Sequence, residues 1–101
     1  ARAQTSTGVV YAVQLLANHR DLSPEELVEF LGYTKPLHME RLDGWHKYVS
    51  DGHESYAQAR SSRNRIWATT KAQDAFVTAQ LEGQRITVQE ALLLSNQTWI
   101  P

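Results

Sequence analysis

The densest group of side chains that could do chemistry lies between residues 60 and 71. This segment holds four positively charged side chains and no acidic one, although the whole chain has a formal net charge of −1. Arginine and lysine supply most of the affinity with which proteins bind nucleic-acid phosphates. The pattern therefore predicts a local positive surface that contacts nucleic acid, with Arg63 and Arg65 as its most outward pair.

Other kinds of chemistry are poorly represented. Cysteine is absent, which excludes disulfides, thiolate metal sites and cysteine nucleophiles. The spacing of the four histidines does not match a zinc site, since His38 and His46 stand eight residues apart with no ligand set around them. There is no nucleophile elbow and no glycine-rich phosphate loop. We therefore expect neither an enzyme nor a protein with a metal or another cofactor.

Length and composition indicate one globular domain that spans residues 1–101. The chain is 42% hydrophobic and 21% charged, which is ordinary for a folded domain. No apolar run approaches the roughly 20 residues of a membrane-spanning helix. We expect a protein without membrane contact that works in the cytoplasm, and at the nucleoid if it is bacterial.

The pattern of caps and apolar spacings predicts mainly helices. Apolar residues at helical spacing favour a helix over about residues 7–19. Capping residues then predict helices over 24–31, 35–48, 71–83 and 87–94. Two short segments, 56–60 and 65–69, are typical of strands joined by a turn at 61–64, with Trp67 favoured over Ile66 as the inward residue. The predicted fold is mainly α with a small β-hairpin, in the order ααα-ββ-αα.

Two stretches of this pattern are similar to a known superfamily. The first stretch, residues 22–49, resembles a winged helix-turn-helix unit and reads LSPEELVEFLGYTKPLHMERLDGWHKYV. The second stretch, residues 65–76, resembles the last strand of a wing that leads into the next helix and reads RIWATTKAQDAF. The resemblance implies that helix 35–48 enters the major groove of duplex DNA, while a wing over about residues 55–69 contacts the backbone.

The resemblance also assigns individual residues. Those implied at the recognition helix are Thr34, Lys35, Pro36, Met39 and Lys47, and those implied on the wing are Arg60, Ser61, Ser62, Arg63, Asn64 and Arg65. The implied function is sequence-specific DNA binding, as a transcriptional regulator or repressor or as an accessory factor in plasmid or phage DNA maintenance. Glu40 and Asp43 on the same helix keep an alternative open, a protein-interaction module without DNA binding whose face holds Pro36, Leu37, Met39 and Glu40.

The C-terminal segment is unusually apolar. A single helix cannot turn three consecutive leucines towards its own core. The apolar residues concerned are Leu92, Leu93, Leu94, Trp99 and Ile100. They could fold back over the first helix, but exposed apolar patches usually mark partner surfaces, so we favour a two-fold homodimer interface formed by the helices at about 71–94 and the residues that follow.

Overall fold

The architecture is a curled antiparallel sheet covered on one face by three helices. The computed structural model describes residues 7–100, so the outermost residues of the predicted 1–101 domain lie outside the described part. The sheet order is β2-β3-β1-β4-β5, and helices and strands contribute about equally. The prediction of a mainly α winged helix-turn-helix fold is therefore wrong. The elements are β1 (Val9–Asn18), α1 (Pro24–Leu31), β2 (His38–Leu42), β3 (Trp45–Val49), α2 (Tyr56–Thr69), β4 (Phe76–Leu81), β5 (Gln84–Ile86) and α3 (Val88–Ser95).

The segment predicted as the first helix is the central strand β1. Its buried side chains alternate, at Val9, Tyr11, Val13 and Leu15. That alternation is the period of a strand, and β-branched and aromatic residues pack well on a pleated surface. The helical spacing was misleading because a segment this rich in apolar residues satisfies both periods.

The predicted recognition helix 35–48 is the hairpin β2–β3. Asp43 and Gly44 form its turn with φ angles of 53° and 82°. Two-residue loops of this composition, with positive φ at both positions, join tightly paired antiparallel strands. Glu82 and Gly83 make the same kind of turn between β4 and β5, in the segment predicted as helix 71–83.

The predicted wing hairpin is the 14-residue helix α2. Ser55 caps it by accepting a hydrogen bond from the backbone N–H of Gln58 at 3.2 Å. Ile66 is buried whereas Trp67 is 38% exposed, which reverses the orientation favoured from the sequence. Thr70, which directly precedes the predicted helix 71–83, is the C-cap of α2.

The capping predictions for α1 and α3 are confirmed. Ser23 and Glu26 form a reciprocal capping box at the start of α1, and Thr87 and Glu90 form another at the start of α3. Gly32 ends α1 with φ 71°, a left-handed conformation that favours glycine. These signals are local, which explains why they could be interpreted from the sequence alone.

The capping box of α1 predicts a pH dependence of stability. The Arg20 guanidinium and then the backbone N–H of Ser23 hold the pKa of Glu26 at about 2, below its ordinary value of 4.5. A carboxylate whose pKa is lowered by folding stabilises the fold above its unfolded pKa, and the contribution is lost as the pH falls towards the folded value. We expect Glu26→Gln to lose less stability than the wild type between about pH 5 and about pH 2. Urea denaturation across that range measures the difference, and identical pH profiles would contradict the prediction.

The hydrophobic core lies between the sheet and the helices in two adjacent clusters. Tyr11 is fully buried at the centre of one, where its ring meets that of Tyr56 edge-on at 5.6 Å between centroids. The Tyr11 hydroxyl lies 2.8 Å from the Ser95 Oγ, so this side chain connects β1 to both α2 and α3. The second cluster is built from Val13, Leu15, Leu31, Ile66, Ala72 and Ala75.

The opposite face of the sheet is concave and holds a polar cluster, which we define as Gln14, Glu40, Gln80 and Arg85. The Arg85 Nη2 donates to the Glu40 Oε1 at 2.8 Å and to the Gln14 Oε1 at 3.1 Å, and the Gln80 amide donates to the Glu40 Oε2. Glu40 lies on edge strand β2 and Arg85 on edge strand β5. In a flat sheet these edges would be about 19 Å apart, beyond the reach of the two side chains. The contact therefore requires strong curvature.

Removing one partner of this ion pair should weaken the fold. Both side chains are only partly accessible, at 22% and 23%. We expect Arg85→Met to lower the free energy of unfolding by about 1–3 kcal/mol, because it leaves the Glu40 carboxylate poorly solvated and without its cation. Urea denaturation measures the loss. Exposed Arg41 provides the control: Arg41→Met should change stability by about 0.5 kcal/mol or less, and equal losses would contradict the assignment.

Candidate nucleic-acid interface

The outer face of α2 is free of acidic and large apolar side chains. The helix packs inward through Tyr56, Ala59 and Ile66, and it contains no acidic residue over its 14 positions. The exposed residues at the centre of this face are Ala57, Gln58, Ser61, Asn64, Arg65 and Ala68, while Trp67 and Thr69 are exposed on its two flanks. Gln58, Ser61 and Arg65 follow at spacings of three and four, so they form one strip along the helix.

The polar groups of this strip are available to a partner. Within residues 7–100 the side chains of Gln58, Ser61 and Arg65 make no hydrogen bond to another side chain or to the backbone. The Oδ1 atom of Asn64 accepts from Arg63 at 2.8 Å, which leaves its amide N–H₂ group directed to solvent. Amide, hydroxyl and guanidinium groups are the ones that read base edges in DNA.

The three arginines of α2 divide between two flanks of the helix. The guanidinium of Arg63 lies 3.9 Å from the ring centroid of Trp67. Burial, followed by the positive charge of Arg60, lowers the pKa of Arg63. Arg60 lies on the same flank, where it donates to the Tyr56 hydroxyl at 3.2 Å and to the carbonyl oxygen of Ile100. Arg65 occupies the other flank, because positions two apart on a helix diverge by about 200°. Arg63 and Arg65 are thus not a pair.

A groove of about 270 Å³ lies beside Arg65, between α2 and the loop that joins α1 to β2. We call it the basic groove. Its lining contains two cations and several hydroxyl groups but no acidic side chain, and it consists of Gly32, Tyr33, Thr34, Lys35, Ser62, Arg65, Ile66, Thr69 and Thr70. Such a surface is suited to an anion, since every charged group in it is positive.

Five side chains of the basic groove carry donors that make no hydrogen bond within residues 7–100. Thr69 and Thr70 each donate their hydroxyl to a backbone carbonyl oxygen at 2.7 Å, so those protons are already used. The hydroxyls of Tyr33, Thr34 and Ser62 remain, with the ammonium of Lys35 and the guanidinium of Arg65. Within the described part of the chain, neither of these two cations has an ion-pair partner.

The structure brings four of the residues assigned to DNA contact into this one groove, namely Thr34, Lys35, Ser62 and Arg65. Ser61 and Asn64 lie next to them on the outer face of α2. Pro36 and Met39 line a different, apolar groove. Lys47 lies on the concave face, where it stands opposite Glu40 in the register of the hairpin β2–β3. Gln58 was missed, although the Ser55 cap could have indicated a helix that presents it.

The predicted homodimer residues do not share one environment. Leu92 is buried in the first core cluster, so it is not part of the exposed apolar surface. Leu93 is 83% exposed, and Leu94, Trp99 and Ile100 are exposed as well. A two-fold dimer through these four residues stays a prediction, which sedimentation equilibrium of the full chain tests.

Within residues 7–100, no three His, Cys, Asp or Glu side chains come together as metal ligands. No helix in that range is long and apolar enough to cross a membrane.

Comparison with known proteins adds no relative from which a function could be transferred. No family model matches the chain, and no match was found among curated proteins or among solved structures.

Proposed function

We propose that this protein binds duplex DNA, with α2 in the major groove and a backbone phosphate in the basic groove. One observation carries the proposal. An acid-free helix exposes Gln58, Ser61, Asn64 and Arg65, directly beside the unpaired cation Lys35. This combination offers base-reading groups and phosphate-binding groups on one continuous surface.

The dimensions of α2 suit the major groove. A 14-residue helix is about 20 Å long and, with side chains, about 10–12 Å wide, which matches a groove about 12 Å wide. Glutamine and asparagine can donate to and accept from adenine, and serine can contact several bases. The outer strip of α2 therefore supports sequence-specific binding, by a different helix from the one implied by the resemblance.

The basic groove would fix the position of the protein on the duplex and would contribute affinity for DNA. Phosphate contacts fix the register of a protein on the duplex, and they depend steeply on salt. Lys35 and Arg65 can each contact a phosphate oxygen, with the hydroxyls of Thr34 and Ser62 as further donors. Because the chain as a whole has a net charge of −1, DNA would be attracted to this face rather than to the surface in general.

This function fits the biological roles expected from the sequence. A small protein that occupies a DNA site can repress or regulate transcription, and it can equally serve plasmid or phage DNA maintenance. Both roles belong to the cytoplasm, and neither requires a cofactor. We propose DNA-site occupancy as the shared activity.

The alternative prediction, a protein-interaction face, requires Glu40 to lie on the same surface as Pro36, Leu37 and Met39. Glu40 belongs to the polar cluster on the concave face, whereas Pro36, Leu37 and Met39 line a groove on the helix-covered side. The four residues therefore do not form one surface. We do not propose that alternative as the primary function.

Selection from a random duplex pool tests the proposal. We expect wild-type protein to enrich a preferred sequence, and we expect the double variant Gln58→Ala/Asn64→Ala to lose about 5- to 150-fold of discrimination at one or more base pairs. The double variant Gln84→Ala/Gln89→Ala, which removes two exposed amides outside α2, is the matched control and should keep the preference. The absence of enrichment by the wild type, or equal loss in both variants, would overturn the proposal.

A further inference from the structure

A second groove, of about 460 Å³, lies between α1, the α1–β2 loop and the hairpin β2–β3. We call it the apolar groove. Nine of its twelve lining residues are apolar or aromatic, among them Leu22, Leu27, Pro36 and Leu37. Its volume falls within the range of about 300–1,000 Å³ that is typical of small-molecule sites.

The groove is open to solvent along one side. Val28 is 44% exposed and Met39 is 41% exposed, although both line it. A bound apolar molecule would remove this surface from water, which is favourable in proportion to the area covered. The described chain itself covers neither residue.

The lining of the apolar groove contains one acidic and one basic side chain, Asp21 and Lys35. Asp21 accepts a hydrogen bond from the Tyr48 hydroxyl at 3.1 Å, and that hydroxyl accepts from the backbone N–H of Leu22 at 2.7 Å. The ammonium of Lys35 is exposed and has no ion-pair partner among residues 7–100. A ligand with one anionic group would therefore orient that group towards Lys35.

The apolar groove and the basic groove share one wall. Tyr33, Thr34 and Lys35 line both of them. An anion held by Lys35 from the apolar side would neutralise a charge that the DNA phosphate needs, so the two ligands would compete for one ammonium. By thermodynamic linkage, each ligand must weaken the other by the same factor.

We infer that the apolar groove binds a small apolar carboxylate, such as a medium-chain fatty acid, and that its carboxylate takes Lys35 and thereby lowers the affinity for DNA. The binding site stands on the geometry of the groove alone. The effect on DNA rests on the proposed function. The protein would then hold a DNA site and a ligand site in one domain, joined by the α1–β2 loop that lines both grooves.

The binding step is tested without DNA. The fluorescent probe anilinonaphthalene sulfonate, which joins apolar rings to one anionic group, is titrated into the full chain and then displaced with decanoate below its micelle concentration. We expect decanoate to displace the probe and decanol or decylamine to displace it at least about tenfold less well, because they lack the charge that Lys35 selects. Equal displacement by all three compounds would overturn the inference.

Two variants locate the site. Met39 is exposed and lies outside the basic groove, so Met39→Glu should fold normally and weaken decanoate binding by about tenfold or more through charge repulsion. Lys35→Met should make decanoate and decanol equal displacers. Unchanged binding in Met39→Glu would assign the probe to another surface and overturn the inference. Displacement by an apolar peptide but not by decanoate would assign the groove to a protein partner, with the same consequence.

A final arm separates this inference from the proposed function. Decanoate should lower the affinity of wild-type protein for duplex DNA by the factor that Lys35→Ala removes, and it should have no effect on the DNA affinity of Lys35→Ala. If DNA binds but decanoate never displaces the probe, the inference fails while the DNA function stands. If decanoate binds but DNA does not, the coupling and the proposed function fail together, and only the ligand site remains.

Discussion

Replacing Tyr11 by alanine is expected to lower the free energy of unfolding by about 3–5 kcal/mol. The side chain is fully buried at the centre of the first core cluster, and its ring and hydroxyl join β1 to α2 and α3. Truncation would leave a cavity among residues that cannot close around it. Since small domains have a total stability of about 5–15 kcal/mol, this variant should be close to unfolding at room temperature.

Tyr11→Phe separates packing from hydrogen bonding. It keeps the ring but loses the contact with Ser95, whose hydroxyl still donates to the carbonyl oxygen of Ala91 at 2.7 Å. We expect a loss of only about 1 kcal/mol for phenylalanine. Urea denaturation of both variants measures the difference. If alanine proves as stable as phenylalanine at this position, the packing between β1 and α2 described above is incorrect.

The second large effect concerns DNA. The double variant Lys35→Ala/Arg65→Ala should lower the affinity for duplex DNA to about the same extent for every base sequence. It should also reduce the slope of log K against log salt by about 1.8, since each phosphate contact contributes about 0.9. The physical reason is the release of condensed counterions, which needs cations placed against the phosphates. Fluorescence anisotropy with a labelled duplex, titrated from low to physiological salt, measures both quantities.

The matched control removes the same total charge from the hairpin β2–β3. The double variant Arg41→Ala/Lys47→Ala changes two residues that lie outside the basic groove, although the resemblance assigned Lys47 to DNA contact. We expect its affinity and its salt slope to stay close to those of the wild type. An equal loss in the two double variants would mean that DNA responds to net charge alone, and the assignment of the basic groove would be withdrawn.

Local signals in the sequence predicted local structure well. Ser23 with Glu26, and Thr87 with Glu90, begin α1 and α3 where expected, because a capping box is satisfied within four residues. Gly32 ends α1 for an equally local reason. Such features require no knowledge of the tertiary fold.

In the central segments two local patterns conflict. The apolar spacing in residues 35–48 favours a helix, whereas the Asp43-Gly44 pair is typical of a two-residue hairpin turn. In residues 56–69 the Ser-Ser-Arg-Asn sequence suggested a turn, yet the Ser55 cap and the packing of Tyr56, Ala59 and Ile66 against the sheet produce a helix. Burial against the sheet explains the second case, whereas local turn chemistry explains the first, since strand β2 is largely exposed.

The positive charge of residues 60–71 was visible in the sequence, but its arrangement was not. Whether Arg65 stands beside Arg63 or beside Lys35 depends on the element that presents it, and Lys35 is 30 residues away in the chain. The contact of Glu40 with Arg85 spans 45 residues and depends on the curvature of the whole sheet. Neither arrangement leaves a local signal.

The most direct test of the account is to locate bound DNA on the protein. Isotope-labelled full chain is titrated with a duplex at low salt, and its amide resonances are followed by NMR. We expect the amide resonances on the outer face of α2 and in the loop at residues 32–35 to shift progressively, with little change around Arg85 on the concave face. An absence of shifts at low salt, or shifts confined to the concave face, would contradict the claim that α2 and the basic groove bind DNA.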